Sequence, residues 1–239
     1  MSSEYNNFKS LANQWWDENG KFSILHKINP IRIKYVVNQI EKIKKKRAIN
    51  KKYFKQLEII DIGCGGGLVC EPLARLGAKV SGLDFIKQNI QIARQHSTKE
   101  NLNINYFLSD INNLKLKKKY DVVLILEVIE HLDNWHQLIR KINHYLKPGG
   151  ILIISSINRN LLSAISALFV AEKILKWIPS GTHSFRKLVK PEELTNVLDL
   201  NKFKIFDLTG MIYNPLTRNW YLSKNNIKIN YFCTAQKIN

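Results

Sequence analysis

The chain of 239 residues is long enough for one domain with a substantial hydrophobic core. Hydrophobic residues make up 45% and charged residues 23% of it, which excludes a disordered or fibrous protein. The net charge is +18, but only eight of the 37 basic residues are Arg, whereas 25 residues are Asn. Lys and Asn enriched together indicate an AT-rich genome, and the scarcity of Arg argues against specific recognition of nucleic acid.

The amino terminus, the lengths of the apolar stretches and the cysteine spacing indicate the cellular location. The amino terminus has no basic segment followed by an apolar run, so it does not predict a signal peptide. No apolar stretch reaches the roughly 18 residues that a membrane span needs. Cys64, Cys70 and Cys233 have neither zinc-binding nor disulfide spacing. We therefore expect a cytoplasmic protein in a reducing compartment.

The predicted elements alternate between strands and helices after an amino-terminal helical part. In chain order they are helices 5–18 and 30–47, strand 57–62, helix 66–76, strand 79–83, helix 86–99, strands 104–108 and 120–126, and helix 134–146. A lysine-rich run at 42–52 is either a solvated linker or a face for anionic lipid or RNA.

The second half of the chain completes the predicted sheet. "KPGG" at 147–150 is expected to stop the preceding helix, and "ILIISSIN" after it is apolar on both faces, as in a central parallel strand. Late strands near 203–210 and 228–236 are expected to close one edge as an antiparallel pair. This alternation predicts right-handed βαβ units in a doubly wound, mostly parallel α/β sheet.

A glycine cluster, "DIGCGGG" at 61–67, follows the first predicted strand. Glycines at the carboxyl end of a parallel strand, such as Gly63 and Gly65, let the backbone approach a nucleotide-like ligand. Position 68 is Leu, where a dinucleotide fingerprint has its third glycine, and no P-loop Lys follows. The pattern beginning at Asp61 favours S-adenosylmethionine over NAD, or over a turn that binds nothing.

Two further acids stand at predicted strand ends. Asp84 ends the second strand, where a carboxylate accepts hydrogen bonds from ribose hydroxyls. Asp110 follows the third strand and either reaches the adenine or caps a helix.

Three titratable residues follow the fourth predicted strand: Glu127, Glu130 and His131. In a helical turn, positions i, i+3 and i+4 share one face. Two carboxylates and an imidazole could hold Mg²⁺ or another divalent cation, which binds both oxygens of a catechol and favours the attacking phenolate. Alternatively His131 alone takes the proton as general base, or one acid caps a helix and His131 only packs.

An apolar helix is predicted within 159–190, after the fifth strand. One face is wholly apolar, and the opposite side mixes Leu162, Phe169 and Trp177 with two Lys residues. It is either a lid that faces lipid or a hydrophobic substrate, or a buried helix or dimer contact.

Several stretches resemble the ubiquinone biosynthesis O-methyltransferases, and the similarity runs from Phe8 to Lys237. The glycine motif and "LEVIEHLDN" at 126–134 take part in it, as does "GTHSFRKLVKPEEL" at 181–194. The most specific stretches are "WWDENGKFSILHKINPIR" at 15–32 and "GMIYNPLT" at 210–217.

The resemblance implies the seven-stranded Rossmann-like sheet of class I methyltransferases in a single domain over 1–239, with 1–50 contributing to the cofactor site. It implies S-adenosylmethionine as donor and methylation of a ring hydroxyl of 2-polyprenyl-6-hydroxyphenol and 3-demethylubiquinol. On the family's pattern, the cofactor contacts are Arg32, Gly63, Asp84 and Leu126, where some relatives have Met at the last position. Glu127, Glu130 and His131 match the family's proposed divalent-metal site.

The polyprenyl tail of such a substrate lies in a bilayer, so the resemblance also implies peripheral contact with the inner membrane surface. Lys residues near anionic lipid would contribute about 1 kcal/mol each. Other ubiquinone-pathway enzymes are possible partners, and nucleic acid is not expected as one. An RNA methyltransferase, suggested by charge alone, and a cofactor-binding scaffold without turnover are the alternatives.

Overall fold

The computed structural model describes residues 11–44, 51–111, 113–160 and 187–238. Most of the predicted apolar helix within 159–190, and residues 5–10 of the first predicted helix, lie outside these ranges. The helices are Ser23–Lys44 (α1), Lys51–Phe54 (α2), Cys70–Arg75 (α3), Lys87–Lys99 (α4), Trp135–Tyr145 (α5) and Pro191–Leu200 (α6), with 3₁₀ helices at Ala12–Gln14 and Ile129–His131. None of these helices is long and apolar enough to cross a membrane.

The strands form one sheet in the described part of the chain. They are Glu58–Ile62 (β1), Lys79–Asp84 (β2), Asn105–Leu108 (β3), Tyr120–Leu126 (β4), Leu146–Ile157 (β5), Phe203–Asn214 (β6), Asn219–Ser223 (β7) and Asn230–Lys237 (β8). Their order is β3-β2-β1-β4-β5-β8-β6-β7. The pairs among β1 to β5 are parallel, whereas β8 is antiparallel to β5 and β6, and β7 is antiparallel to β6.

This topology confirms the predicted doubly wound, mostly parallel α/β sheet. The described sheet has eight strands where seven were expected, because β6 continues into a hairpin that adds β7 at the edge. The hairpin forms because Met211 and Tyr213 of β6 pair with Leu222 and Trp220 of β7. Aromatic and apolar cross-strand pairs of this kind are the main stabilising contacts of a hairpin.

Two apolar layers bury the sheet. On one face, α5 and α6 contribute residues such as Ile139 and Leu194 to a cluster with β4 and β5. On the other face, α1 contributes Val36 and Ile40, and α3 contributes Leu73. Strands covered on both faces are apolar throughout, which explains the uninterrupted apolar runs of the central strands.

Three predicted boundaries were wrong. The first predicted helix is reduced, within the described residues, to one 3₁₀ turn at Ala12–Gln14, because the tryptophans after it pack on the glycine turn. Helix α1 begins at Ser23, so Pro30 lies inside it and not at its first turn. The "KPGG" residues belong to β5, which starts at Leu146 directly after α5, because Tyr120 of β4 pairs with that residue.

The parallel register brings the functional segments to one edge. Ile62 of β1 pairs with Leu83 of β2, and Leu126 of β4 pairs with Ser155 of β5. The glycine turn, Asp84, and the residues after β4 therefore meet at the carboxyl ends of adjacent strands. In open α/β sheets the ligand binds in the crevice at that edge.

Helix α1 is attached to the far half of the sheet by a buried polar contact. The Tyr35 hydroxyl donates to Asp207 Oδ2 at 2.8 Å and lies 2.9 Å from Thr234 Oγ1. Thr209 Oγ1 also donates to Asp207, at 2.6 Å, and Lys224 forms an ion pair with it. Since the same helix carries Arg32 one turn earlier, this contact helps to set the position of that residue.

Replacing Tyr35 with Phe removes one donor from a buried carboxylate. We expect Tyr35→Phe to lower the free energy of unfolding by about 1–3 kcal/mol, measured by urea denaturation. The control is Tyr213→Phe on the half-exposed edge hairpin, which should change it by less than about 0.5 kcal/mol. Equal, small effects of both variants would show that the contact does not hold α1.

Candidate active site

The glycine turn after β1 requires its glycines. Gly63 and Gly65 have φ of 78° and 52°, a left-handed region that residues with a side chain rarely adopt. A Cβ on Gly63 would lie 2.5 Å from Val128 Cγ2, so the turn also packs closely against the segment after β4. The Gly63 amide continues the sheet by donating to Leu83 O at 2.7 Å. The turn is thus held at the strand ends, close to the segment after β4.

Asp84 ends β2, as expected, and its carboxylate organises the turn. Oδ2 accepts from the Gly65 amide at 2.9 Å, and Oδ1 accepts from the Ile86 amide at 2.8 Å and from Asn89 Nδ2 at 3.3 Å. Burial raises the pKa of this carboxyl, while the amide donors oppose that rise. The carboxylate that was predicted to bind ribose hydroxyls therefore also fixes the glycine turn.

The amino-terminal segment covers the turn. The indole of Trp15 lies directly on the glycines, because a Cβ on Gly65 or Gly66 would come within 2.4 Å of its ring. Trp15 Nε1 donates to Asn89 Oδ1 at 2.9 Å, and Trp16 Nε1 donates to Gly66 O at 3.0 Å. Both tryptophans belong to the stretch 15–32 that resembles the family, and no periodic pattern in the sequence predicts their packing on the turn.

Arg32 is a buried cation at the same edge. It is only 5% exposed, and its Nε has no hydrogen-bond partner among the described residues. Burial lowers the pKa of the guanidinium, and the charges of Glu127, Asp61 and Glu130 oppose that shift. A buried guanidinium with an unsatisfied N–H is suited to bind an anionic group such as a carboxylate.

Asp61, at the end of β1, is one of the acids around Arg32. It is buried, and burial raises the pKa of its carboxyl to about 7 against the pull of Arg32. The Cys70 thiol donates to its Oδ2 at 3.6 Å. Asp61 therefore lies beneath the turn and contributes to the charge balance around Arg32.

Glu127 has a backbone conformation that costs free energy. Its φ is 56°, a left-handed value that is uncommon for a residue with a side chain and occurs often at functional sites. Ser155 of β5 stabilises it, because its hydroxyl donates to Glu127 Oε1 at 2.7 Å and its carbonyl accepts from the Glu127 amide at 3.1 Å. The strand end therefore directs this carboxylate toward the region of Arg32.

Glu130 and His131 lie in the 3₁₀ helix Ile129–His131 and not in the expected α-helical turn. Glu130 is buried, and the Ser156 hydroxyl donates to its Oε2 at 3.1 Å. Burial, followed by the charge of Glu127, raises the pKa of Glu130 to about 8. The site thus favours the protonated form of this carboxyl more than water does.

The described residues do not include an assembled metal centre. Across the four described ranges, no group of three or more His, Cys, Asp or Glu side chains is arranged to hold a metal ion. A divalent cation held by Glu127, Glu130 and His131 therefore stays a prediction.

The other two predicted cofactor contacts differ in their surroundings. Leu126 is buried at the end of β4, on the face packed by α1. Asp110 is exposed after β3 and accepts a hydrogen bond from Asn113 Nδ2 at 3.1 Å within a local turn. Leu126 is therefore close to the strand-end acids, and Asp110 lies at the rim.

Ser155 and Ser156 were not singled out from the sequence. They interrupt the apolar run of β5 with two adjacent hydroxyls, and both are buried. Buried hydroxyls require partners, and here the partners are Glu127 and Glu130. The only signal available in the sequence was this polar pair at the carboxyl end of a central strand.

The chain is similar in sequence to known methyltransferases. A family model described as a methyltransferase domain matches residues 60–154. The ubiquinone biosynthesis O-methyltransferase of Pelagibacter ubique (strain HTCC1062) is 42% identical, covering 95% of this chain and 94% of that protein. That of Rickettsia prowazekii (strain Madrid E) is also 42% identical, covering 99% of this chain and 91% of that protein.

One solved structure has the same fold along nearly the whole chain. Magnesium protoporphyrin IX methyltransferase from Synechocystis PCC 6803, with bound SAH, superimposes with a TM-score of 0.67. The match covers 99% of this chain and 95% of that chain at 20% sequence identity. It therefore establishes a common fold.

The raised pKa of Asp61 predicts a pH dependence of stability. Because the folded pKa is about 7 and the reference value is 3.8, the folded protein holds this proton more tightly than the unfolded chain does. The stabilising contribution is therefore complete below about pH 4 and is lost as the pH rises to about 7. Asp61→Asn should remove a change on the order of 4 kcal/mol across this range, measured by urea denaturation at several pH values.

The matched control for that measurement is Asp133→Asn, which removes an exposed carboxylate and should leave the pH profile as in the parent. An Asp61→Asn profile parallel to that of the parent would contradict the assignment of a buried, protonated carboxyl.

Proposed function

Because the chain belongs to the family of ubiquinone biosynthesis O-methyltransferases, we propose that it methylates a ring hydroxyl of polyprenylated catechol-type intermediates. The donor is S-adenosylmethionine, and the substrates are 2-polyprenyl-6-hydroxyphenol and 3-demethylubiquinol. The observation that carries this proposal is 42% identity over 95% of the chain to a relative of that name. The chemistry of the strand-end site supports it independently.

The cofactor lies over the carboxyl ends of β1 and β2. Bound S-adenosylmethionine supplies an electrophilic methyl group on a sulfonium. The Arg32 guanidinium, buried and with an unsatisfied Nε–H, binds the carboxylate of the methionine part. Asp84 accepts from the ribose hydroxyls, Gly63 and Gly65 admit the ligand to the backbone, and Leu126 forms an apolar wall for the adenine.

The described residues 11–44 support the expectation that the amino-terminal segment 1–50 contributes to this cofactor site. Trp15 and Trp16 lie on the glycine turn, and α1 brings Arg32 to the strand ends. Tertiary contacts with the glycine turn thus connect the amino-terminal part to the sheet, which supports one methyltransferase domain over the described chain.

The acceptor hydroxyl lies beside the residues after β4. We assign proton removal to His131, whose imidazole can take the hydroxyl proton as the phenolate oxygen attacks the methyl group in line. The new bond is between this oxygen and the methyl carbon, and the bond broken is between the methyl carbon and sulfur. Glu127 and Glu130, held by Ser155 and Ser156, set the charge of the surroundings.

A divalent cation at Glu127, Glu130 and His131 stays a prediction of the family resemblance. A chelator tests it directly. Turnover that is lost with chelator and restored by Mg²⁺ would support the cation and would require the three side chains to regroup from their described positions. Turnover that is unaffected would leave proton removal to a side chain.

Peripheral attachment to the inner membrane surface is part of the proposal. A polyprenyl tail partitions into the bilayer, so an enzyme that acts on it must reach the lipid surface. The net charge of +18 would favour binding to anionic lipid. Contacts with other ubiquinone-pathway enzymes are compatible with this location.

The test of the function is methyl transfer from labelled S-adenosylmethionine to a short-tailed catechol. Formation of the labelled methyl ether and of S-adenosylhomocysteine in equal amounts is expected. Cofactor binding without transfer would contradict the proposal and favour a scaffolding role. Transfer to tRNA, with binding that weakens steeply as salt is added, would favour an RNA methyltransferase.

The role of His131 predicts a specific kinetic change. His131→Ala should lower kcat for the short-tailed catechol by about 10²–10⁴-fold and leave the affinity for S-adenosylhomocysteine unchanged, because only proton transfer is lost. The matched control is His136→Ala on the exposed side of α5, which should retain the parental kcat. Parental turnover in His131→Ala would exclude this residue as the base.

A further inference from the structure

The side chain of Asn89 lies between two groups of the cofactor site that come from distant parts of the sequence. Its Oδ1 accepts from Trp15 Nε1 at 2.9 Å, and its Nδ2 donates to Asp84 Oδ1 at 3.3 Å. Asn89 is 2% exposed and stands in the first turn of α4, the helix that follows β2. One amide thus joins the amino-terminal segment to the carboxylate that we assign to the ribose hydroxyls.

The two partners of Asn89 fix the orientation of its amide. An indole N–H can only donate a hydrogen bond, so it requires the amide oxygen, and the amide NH₂ group is then left for the carboxylate. The donors to Asp84 from Gly65 and Ile86 are backbone amides, which the glycine turn and the end of β2 hold in place. The Asn89 side chain is therefore the donor whose position depends on the amino-terminal segment.

The indole of Trp15 is itself held in place beside this amide. It stacks on Phe22, with ring centroids 4.0 Å apart and an interplanar angle of 6°. The neighbouring Trp16 stacks on His96, two turns further along α4, with ring centroids 3.5 Å apart. The amino-terminal segment is thus attached to α4 at two points, and the contact through Asn89 continues to the ribose-binding carboxylate.

We propose that Asn89 is a positioning residue for the ribose of the cofactor. By donating to Asp84, it holds the carboxylate in the orientation that accepts from the ribose hydroxyls. By accepting from Trp15, it makes that orientation depend on the amino-terminal segment. The inference rests on the proposed function and deepens it, because it names the residue that connects the two parts of the cofactor site.

The test compares S-adenosylhomocysteine with its analogue that lacks both ribose hydroxyls, by isothermal titration calorimetry. The parental protein should bind S-adenosylhomocysteine more tightly than the analogue. Asn89→Leu keeps a similar volume and has no hydrogen-bonding group. It should weaken the binding of S-adenosylhomocysteine by about ten- to hundredfold and leave the affinity for the analogue unchanged. A residue that only supports the fold would weaken the binding of both ligands alike.

A change at the other end of the contact tests the dependence on the amino-terminal segment. Trp15→Phe removes the indole N–H and keeps an aromatic ring against Phe22. It should reduce the preference for S-adenosylhomocysteine over the analogue, and it provides this measurement even if Asn89→Leu does not fold. The double variant should have the same preference as Asn89→Leu alone, because both changes act on one contact. Additive losses of preference would contradict the coupling.

The matched control is Asn143→Leu. The Asn143 side chain donates to Asn201 O at 2.6 Å, just before β6 starts, at the opposite, amino edge of the sheet. This variant loses a hydrogen bond of the same kind far from the cofactor site, so it should keep the parental preference between the two ligands.

Four results would overturn the inference. An unchanged preference in Asn89→Leu would show that Asn89 does not position Asp84, and it would leave the methyltransferase function intact. Equal losses for both ligands would reduce Asn89 to a structural role. Equal binding of both ligands by the parental protein would remove the ribose contact of Asp84. Parental protein that binds neither ligand would contradict the proposed function itself.

Discussion

One buried cation, the guanidinium of Arg32, is the constraint on which the site depends. It lies out of solvent beside three strand-end carboxyls, those of Asp61, Glu127 and Glu130. A buried charge is costly unless neighbouring charges and hydrogen bonds compensate it. The charge of Glu127 contributes most to this compensation, followed by the charges of Asp61 and Glu130, and the unsatisfied Nε–H leaves one direction for an anionic ligand. The residues that balance the charge of Arg32 therefore also determine how this edge of the sheet binds the cofactor.

The rest of the structure holds these groups in place. Tyr35 fastens α1 to Asp207 of β6, and the hydroxyls of Ser155 and Ser156 hold the two glutamates after β4. The left-handed backbone at Glu127 is a local cost that the contacts with β5 offset. Segments far apart in the sequence thus contribute to one crevice, and the parallel register brings their ends together.

The sequence predicted the sheet and the glycine turn because both are local or periodic patterns. Apolar runs alternating with helices define the βαβ order, and the glycines of "DIGCGGG" permit the left-handed φ that Gly63, Gly65 and Gly67 adopt. The packing of Trp15 on the turn could not be predicted, because it joins positions 50 residues apart without any repeat. The α-helical face expected at Glu127 to His131 was wrong, because Glu127 turns into a left-handed conformation before a 3₁₀ helix. The contacts of Ser155 and Ser156 with the two glutamates could not be predicted either, because they depend on the pairing of β5 with β4.

The most direct test of this account is the affinity of Arg32→Lys for S-adenosylmethionine, measured by isothermal titration calorimetry. An ammonium on a flexible stem cannot reproduce the planar, fixed N–H geometry of a guanidinium, so the dissociation constant should rise by about 10- to 100-fold. Arg140→Lys, on the exposed side of α5, should bind as the parent does. Parental affinity in Arg32→Lys, with the fold intact, would contradict the claim that the buried cation forms the cofactor site.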